Sequence, residues 1–260
     1  MRKLKVNFGM KALALALVAS VAFSSCKDDS GVITDNNDDS NDDGIPAVYQ
    51  KIKNVEDVYL DGNYVVIKTK GIPDHKSTYY QGTQWESSLY EEYKGSNPNY
   101  NTNPNRITEQ NLTFRIPVNP SEAGNKAATP LGPIGVTVNG VCIYNQYAAP
   151  GDDLQQEINT FDHYNGHPQR VGQYHYHLEP LWLTQINGKE DLIGFLLDGF
   201  PVYGPEENGK VVTNSDLDAY HGHNHATADF PDGIYHYHIT SEDPYINGDG
   251  FFGTAGTVSN

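Results

Sequence analysis

Cysteine is almost missing from this chain, with only Cys26 and Cys142 among 260 residues, so a disulfide framework is excluded as the source of its stability. Long apolar runs are missing too. The longest, Ala12 to Phe23, is well short of the ~20 residues needed to span a bilayer as a helix. Positive charge is scarce, with 17 Lys and Arg against 33 Asp and Glu. Five of those basic and seven of those acidic residues precede Gly44, which leaves 12 against 26 and a charge of −14 beyond it. A surface of that sign repels nucleic acid and anionic membranes, so no nucleic-acid partner is expected. Amphipathic helical periodicity is rare, and no nucleophile motif, phosphate-binding glycine loop or His-Glu-x-x-His zinc helix occurs.

At the N-terminus, Arg2, Lys3 and Lys5 precede the apolar run, which ends at Ser24-Ser25-Cys26. Residues 1–25 read as a signal peptide. A cysteine after two small residues resembles a bacterial lipoprotein processing site, with Cys26 as the lipidated first mature residue, although Phe23 stands where Leu is usual. Residues 26–44 are rich in Asp, Asn and Ser and lack aromatics. They are too polar to order themselves and read as a flexible tether. Lys27-Asp28-Asp29 resembles the acidic surface-export tags of Bacteroidota lipoproteins. The expected location is extracytoplasmic, anchored to the outer membrane through the lipid on Cys26 and surface-exposed.

Residues 45–260 are long enough for one sizeable core, and their pattern is mainly β. Val58-Tyr59-Leu60 and Tyr64-Val65-Val66-Ile67 flank Asp61-Gly62-Asn63 as a hairpin, and Leu112 to Pro117 alternates like a strand. Tyr90 to Arg106 reads as a long surface loop. From Pro130 onward the chain repeats itself. Val138-Asn139-Gly140-Val141-Cys142-Ile143-Tyr144 matches Leu197-Asp198-Gly199-Phe200-Pro201-Val202-Tyr203, and Asp162, Gly166 and His167 match Asp218, Gly222 and His223. Gly172-Gln173-Tyr174-His175-Tyr176-His177 matches Gly233-Ile234-Tyr235-His236-Tyr237-His238. The expectation is a sandwich-like domain with two duplicated units, about 130–180 and 190–245, packed about a twofold axis with their apolar faces together.

On a strand, successive side chains point to opposite faces, so His175 and His177 share one face, as do His236 and His238, with the tyrosines opposite. A His-x-His pair is a bidentate platform. His167 and His223, in Gly-His turns where the backbone can approach closely, are candidates for the third imidazole. Asp162 and Asp218 are candidates for a fourth ligand or for acceptors of an imidazole N–H. Three neutral imidazoles suit Zn²⁺ or Cu²⁺, and the absence of thiolates argues against an iron–sulfur centre. With unperturbed imidazoles, such binding should collapse below about pH 6. His221, His225 and His163 are unmatched between the copies, and His75 lies outside them; none is expected to ligate.

At these residues the sequence resembles the bacterial family named for the YHYH motif, over Thr113 to Gly253 and including Leu197-Asp198-Gly199-Phe200-Pro201-Val202-Tyr203-Gly204-Pro205. Family members often carry cysteines near each Gly-His turn and after the motif. Here Tyr164 and Tyr220 precede the glycines and no cysteine follows, so any staple those cysteines form is absent. The resemblance implies a secreted domain and no particular reaction. Three functions stand open: a lipid-anchored metal-binding protein, a metal-dependent hydrolase or other metalloenzyme, and a glycan- or protein-binding module with structural histidines.

Overall fold

Alternation dictates the first half of the fold. The computed structural model describes residues 44–260; the stretch expected to be a signal peptide, Cys26 and nearly all of the acidic segment lie outside the described residues. Strands β1 (Asp57–Asp61) and β2 (Tyr64–Thr69) form the expected hairpin, with Gly62 at φ +60° in its turn. Strand β3 (Leu112–Pro117) buries Leu112, Phe114 and Ile116 and half-exposes the residues between them. β3 pairs antiparallel with β2, and the C-terminal strand, described below as β12 (Thr257–Ser259), completes a four-stranded sheet in the order β1-β2-β3-β12.

The duplicated half supplies eight more strands: β4 (Gly135–Thr137), β5 (Cys142–Ile143), β6 (Gly166–Pro168) and β7 (Tyr174–Tyr176), then β8 (Leu192–Leu196), β9 (Pro201–Tyr203), β10 (Gly222–His225) and β11 (Ile234–His238). All eight belong to one sheet, in the order β10-β11-β9-β8-β4-β5-β7-β6. That order is palindromic. Within each unit a hairpin turning at Gly140 or Gly199, both at positive φ, is followed by a parallel pairing to the Tyr-His-Tyr-His strand, which pairs antiparallel with the Gly-His strand.

The units meet where β4 and β8 run antiparallel, with Val136 opposite Phe195, Thr137 opposite Gly194 and Gly135 opposite Leu196. Val136 and Phe195 are equivalent positions of the repeat, so the approximate twofold passes between them. The expected twofold is therefore present, but the units join edge to edge and do not stack face to face. Edge pairing satisfies the backbone groups of both hairpin strands, and the apolar faces are covered from elsewhere. Val65, Ile67, Phe114 and Ile116 of the smaller sheet share one core with Val136, Phe195, Val202 and Tyr237 of the larger. Tyr49 stacks on Phe195 at 4.3 Å between centroids, beside the join. Among the described residues no helix is long and apolar enough to cross a membrane.

Candidate metal centres

Each histidine cluster sits on the outermost two strands at one end of the eight-stranded sheet. The β6–β7 register sets His167 opposite His175, and the β10–β11 register sets His223 opposite His236. The second motif histidine, two residues on, falls on the same face. The first group is His167, His175 and His177, with Nε2 of His175 at 3.0 Å from Nε2 of both His167 and His177. The second is His223, His236 and His238 with Glu207, and Nε2 of His223 lies 3.1 Å from Nε2 of His236. Six strand spacings separate the groups, roughly 29 Å at ~4.8 Å per strand. They are two sites and not one shared site.

The tyrosines hold the strands that carry these rings. Tyr174 and Tyr176 point away into a buried cluster with Tyr79, Tyr80, Ile107 and Val141. Tyr174 and Tyr235 each lie across a glycine, Gly166 and Gly222, where any Cβ would collide with the phenol ring. That contact, more than turn conformation, is what requires glycine there; the left-handed residues are the preceding Asn165 (φ +65°) and His221 (φ +72°).

Asp162 and Asp218 do not join the imidazoles, which corrects the ligand role expected of them. Asp162 Oδ1 accepts from the backbone N–H groups of Tyr164 and Gly166, and its Oδ2 accepts from Ser77 Oγ at 2.5 Å and Tyr174 OH at 2.8 Å. Asp218 Oδ1 accepts from the N–H groups of Tyr220 and Gly222 and from Tyr235 OH at 2.9 Å. Asp162 with both oxygens and Asp218 with Oδ1 fasten the Gly-His turn to the first tyrosine of the motif.

The other polar contacts fix the ring tautomers. His175 Nδ1 lies 3.1 Å from Gln173 O, His177 Nδ1 2.5 Å from Asn145 O, His236 Nδ1 2.9 Å from Ile234 O and His238 Nδ1 2.8 Å from Gly204 O. A carbonyl only accepts, so each Nδ1 carries the proton. His167 Nδ1 meets Thr160 Oγ1 at 2.6 Å, and that hydroxyl already donates to Glu157 O, so it too must accept from the ring. In five of six rings a neutral imidazole therefore presents a bare Nε2. Facing lone pairs at 3.0 Å cannot hydrogen-bond to one another. His238 Nε2 and Glu207 Oε1 are likewise buried without a hydrogen-bond partner, and each such orphan costs about 1–3 kcal/mol.

An added proton is a poor remedy. Burial is the main cause that drives His167 down to about 3 and His177 and His238 down to about 4. It also depresses His175, His223 and His236. A cation accepting three Nε2 lone pairs resolves the conflict. Tetrahedral ligation at ~2.0–2.1 Å puts nitrogens about 3.3 Å apart, within a few tenths of an ångström of the separations here. All-oxygen sites suit Ca²⁺ or Mg²⁺; imidazole with one carboxylate suits Zn²⁺ or Cu²⁺.

The family model described as YHYH protein matches residues 113–209 and 206–249. The chain belongs to the YHYH family. No curated protein and no solved structure matches it. In this YHYH protein the matched span holds both motifs and all six converging histidines.

Two acids near the YHYH histidines were missed by sequence reasoning. Glu207 Oε1 lies 3.5 Å from Nε2 of both His223 and His236 and 3.9 Å from that of His238, while its Oε2 meets His225 Nδ1 at 3.0 Å. Glu157 Oε2 lies 3.8 Å from His167 Nε2 and 3.6 Å from His177 Nε2. Burial raises Glu157. At Glu207 burial works the same way but is outweighed by the bond to His225 and the nearby imidazoles, and the carboxyl ends below its usual range. Glu207 comes from the short hairpin Glu206–Glu207/Lys210–Val211 and Glu157 from the one-turn helix Gln155–Ile158. They are not equivalent in the repeat, so no matched pair announced them. Among the other histidines, His221 bonds Thr240 Oγ1, His163 approaches Glu91, and His75 Nε2 meets Tyr176 OH at 2.8 Å behind the first motif. Of these rings His225 alone lies at a site, through Glu207 and against His223 at 4.1 Å between centroids.

Proposed function

We infer that this YHYH protein binds one divalent transition-metal ion, Zn²⁺ or Cu²⁺, at each of its two histidine centres, and does so outside the cytoplasm while tethered by a lipid on Cys26. The observation that carries the metal reading is the convergence of bare, buried Nε2 atoms whose protons are held on Nδ1 by carbonyl and hydroxyl partners. That arrangement is unfavourable without a cation and favourable with one. The location rests on the Ser24-Ser25-Cys26 processing pattern and the acidic segment after it.

The test is elemental analysis of the mature chain, purified without a histidine tag and dialysed against Zn²⁺ or Cu²⁺ at neutral pH. Two equivalents are expected. Replacing His175 and His177 together with Ala should leave one equivalent, because the centres stand apart. A wild-type protein that takes up neither ion refutes the reading, and loss of both equivalents in the double variant refutes two independent sites.

A further inference from the structure

The two centres share three imidazoles but differ in what completes them. At the second, Glu207 and all three histidines offer ligand atoms within 4.8 Å of one another. At the first, the group closes on the histidines alone, and Glu157 reaches only His167 and His177. An ion on the first triad therefore keeps an open position. A cavity of about 650 Å³ lies over it, lined by the three histidines, Tyr144, Asn105, Gln169, Arg170 and one acid, Glu157. That volume is in the range of small-molecule sites, roughly 300–1,000 Å³.

The charges around the two cavities also differ. Arg170 is exposed and has no hydrogen bond or ion pair among the described residues, so its guanidinium is free at the mouth of the first cavity. The cavity beside the second centre, about 580 Å³, is lined by Glu190, Asp191, Glu206, Glu207 and Asp229. Lys189 and Lys51 reach Glu206 and Asp229 at 3.3 and 2.6 Å, but among the described residues no Lys or Arg pairs with Glu190, Asp191 or Glu207. Five acids repel an anion from that mouth, whereas at the first a single acid, Glu157, is set against an uncommitted guanidinium and a metal with a vacant position.

Resting on metal occupancy as inferred above, we propose that the duplicated centres have divided their work: the second is a closed site that retains its ion, and the first presents its ion to a small organic carboxylate, which the guanidinium of Arg170 attracts to the mouth and the open position then binds. Tyr144 and Gln169 spend their donors on Gln173 and on each other, but Asn103 and Asn105 each keep one amide N–H beyond the bond to Pro168 O for such a ligand.

Co²⁺ is the probe for both ions, because its visible absorption reports coordination number, and acetate is the probe for the ligand. With two equivalents of Co²⁺ on the full mature chain, acetate should change about half of the absorption. In His236→Asn/His238→Asn the whole of it should change, and in His175→Asn/His177→Asn none. Arg170→Gln, at an exposed position, should take up Co²⁺ normally and weaken acetate by about three-fold, the effect of one exposed ion pair. Two bound Co²⁺ with spectra indifferent to acetate overturn the proposal and leave metal binding intact. So does an acetate response confined to the second site, equal at both sites, or unaffected by Arg170→Gln. Failure to take up Co²⁺ removes both readings.

Discussion

Acidifying the metal-free protein tests the buried neutral histidines most directly. His167 and His177 are held near 3 and 4 in the fold by burial, and His175 lower than its usual value for the same first reason, while in the unfolded chain each titrates near 6.5. Below pH 6.5 the unfolded state therefore binds more protons than the folded state, so stability is lost as pH falls. The loss runs at about 1.4 kcal/mol per pH unit per histidine and levels off only near the folded values. At pH 5 each ring costs about 2 kcal/mol, and the first triad together up to about 6 kcal/mol, against a typical total of 5–15 kcal/mol. Urea unfolding after EDTA treatment at pH 7.5, 6 and 5 measures this. His177→Gln should lower the slope by about one proton. With Zn²⁺ in excess the decline should be delayed, because a bound ion also excludes the proton; the first site should still hold metal at pH 5, well below the midpoint near 6 that unperturbed imidazoles would give. Metal-free stability that stays flat from pH 7.5 to 5, or an unchanged slope in His177→Gln, would show that these rings are not buried neutral.

Asp162→Ala should cost about 2–4 kcal/mol in chemical denaturation, since it strands two backbone N–H groups and two hydroxyls, yet metal stoichiometry at saturating Zn²⁺ should stay at two because Asp162 is not a ligand. Gly222→Ala should lower stability by about 1–3 kcal/mol through collision with the Tyr235 ring and the His236 carbonyl, read as a fall in Tm; an unchanged Tm refutes the close approach. Cys26→Ala should release the protein from the membrane fraction or block its maturation, and unchanged membrane association would place the anchor elsewhere.

What the sequence made legible follows the range of each signal. Strand period two put the motif histidines on one face and the tyrosines on the other, and the repeat of Asn-Gly and Asp-Gly hairpins exposed the twofold; both are local patterns written twice. The Asp-x-x-x-Gly spacing was equally visible but misread, because an aspartate that caps its own turn looks the same in sequence as one that reaches a metal. Glu157 and Glu207 could not be found from the repeat: each unit has a short hairpin followed by one helical turn, but the acid sits on the turn in the first unit and on the hairpin in the second. The edge-to-edge join depended on β4 and β8 choosing each other, a choice settled by Val136 and Phe195 over a long separation and by the smaller sheet covering the face left over. The depressed histidine values depended on burial, which no local pattern states.

Both centres lie across the last two strands of the sheet, with one imidazole on a terminal strand of three or four residues and two on its inner neighbour or, for His177, one residue past its end. Strands so short have few ladder bonds to resist peeling, and their outer rows of backbone groups have no further strand to pair with. An ion ligated from both strands, as proposed above, would act as a reversible rivet at each end. It would hold margins that strand pairing already forms, at the places where ladder bonds are fewest. In a chain whose single described cysteine is buried and unpaired, that would be a means of securing its margins which the surroundings could set and release.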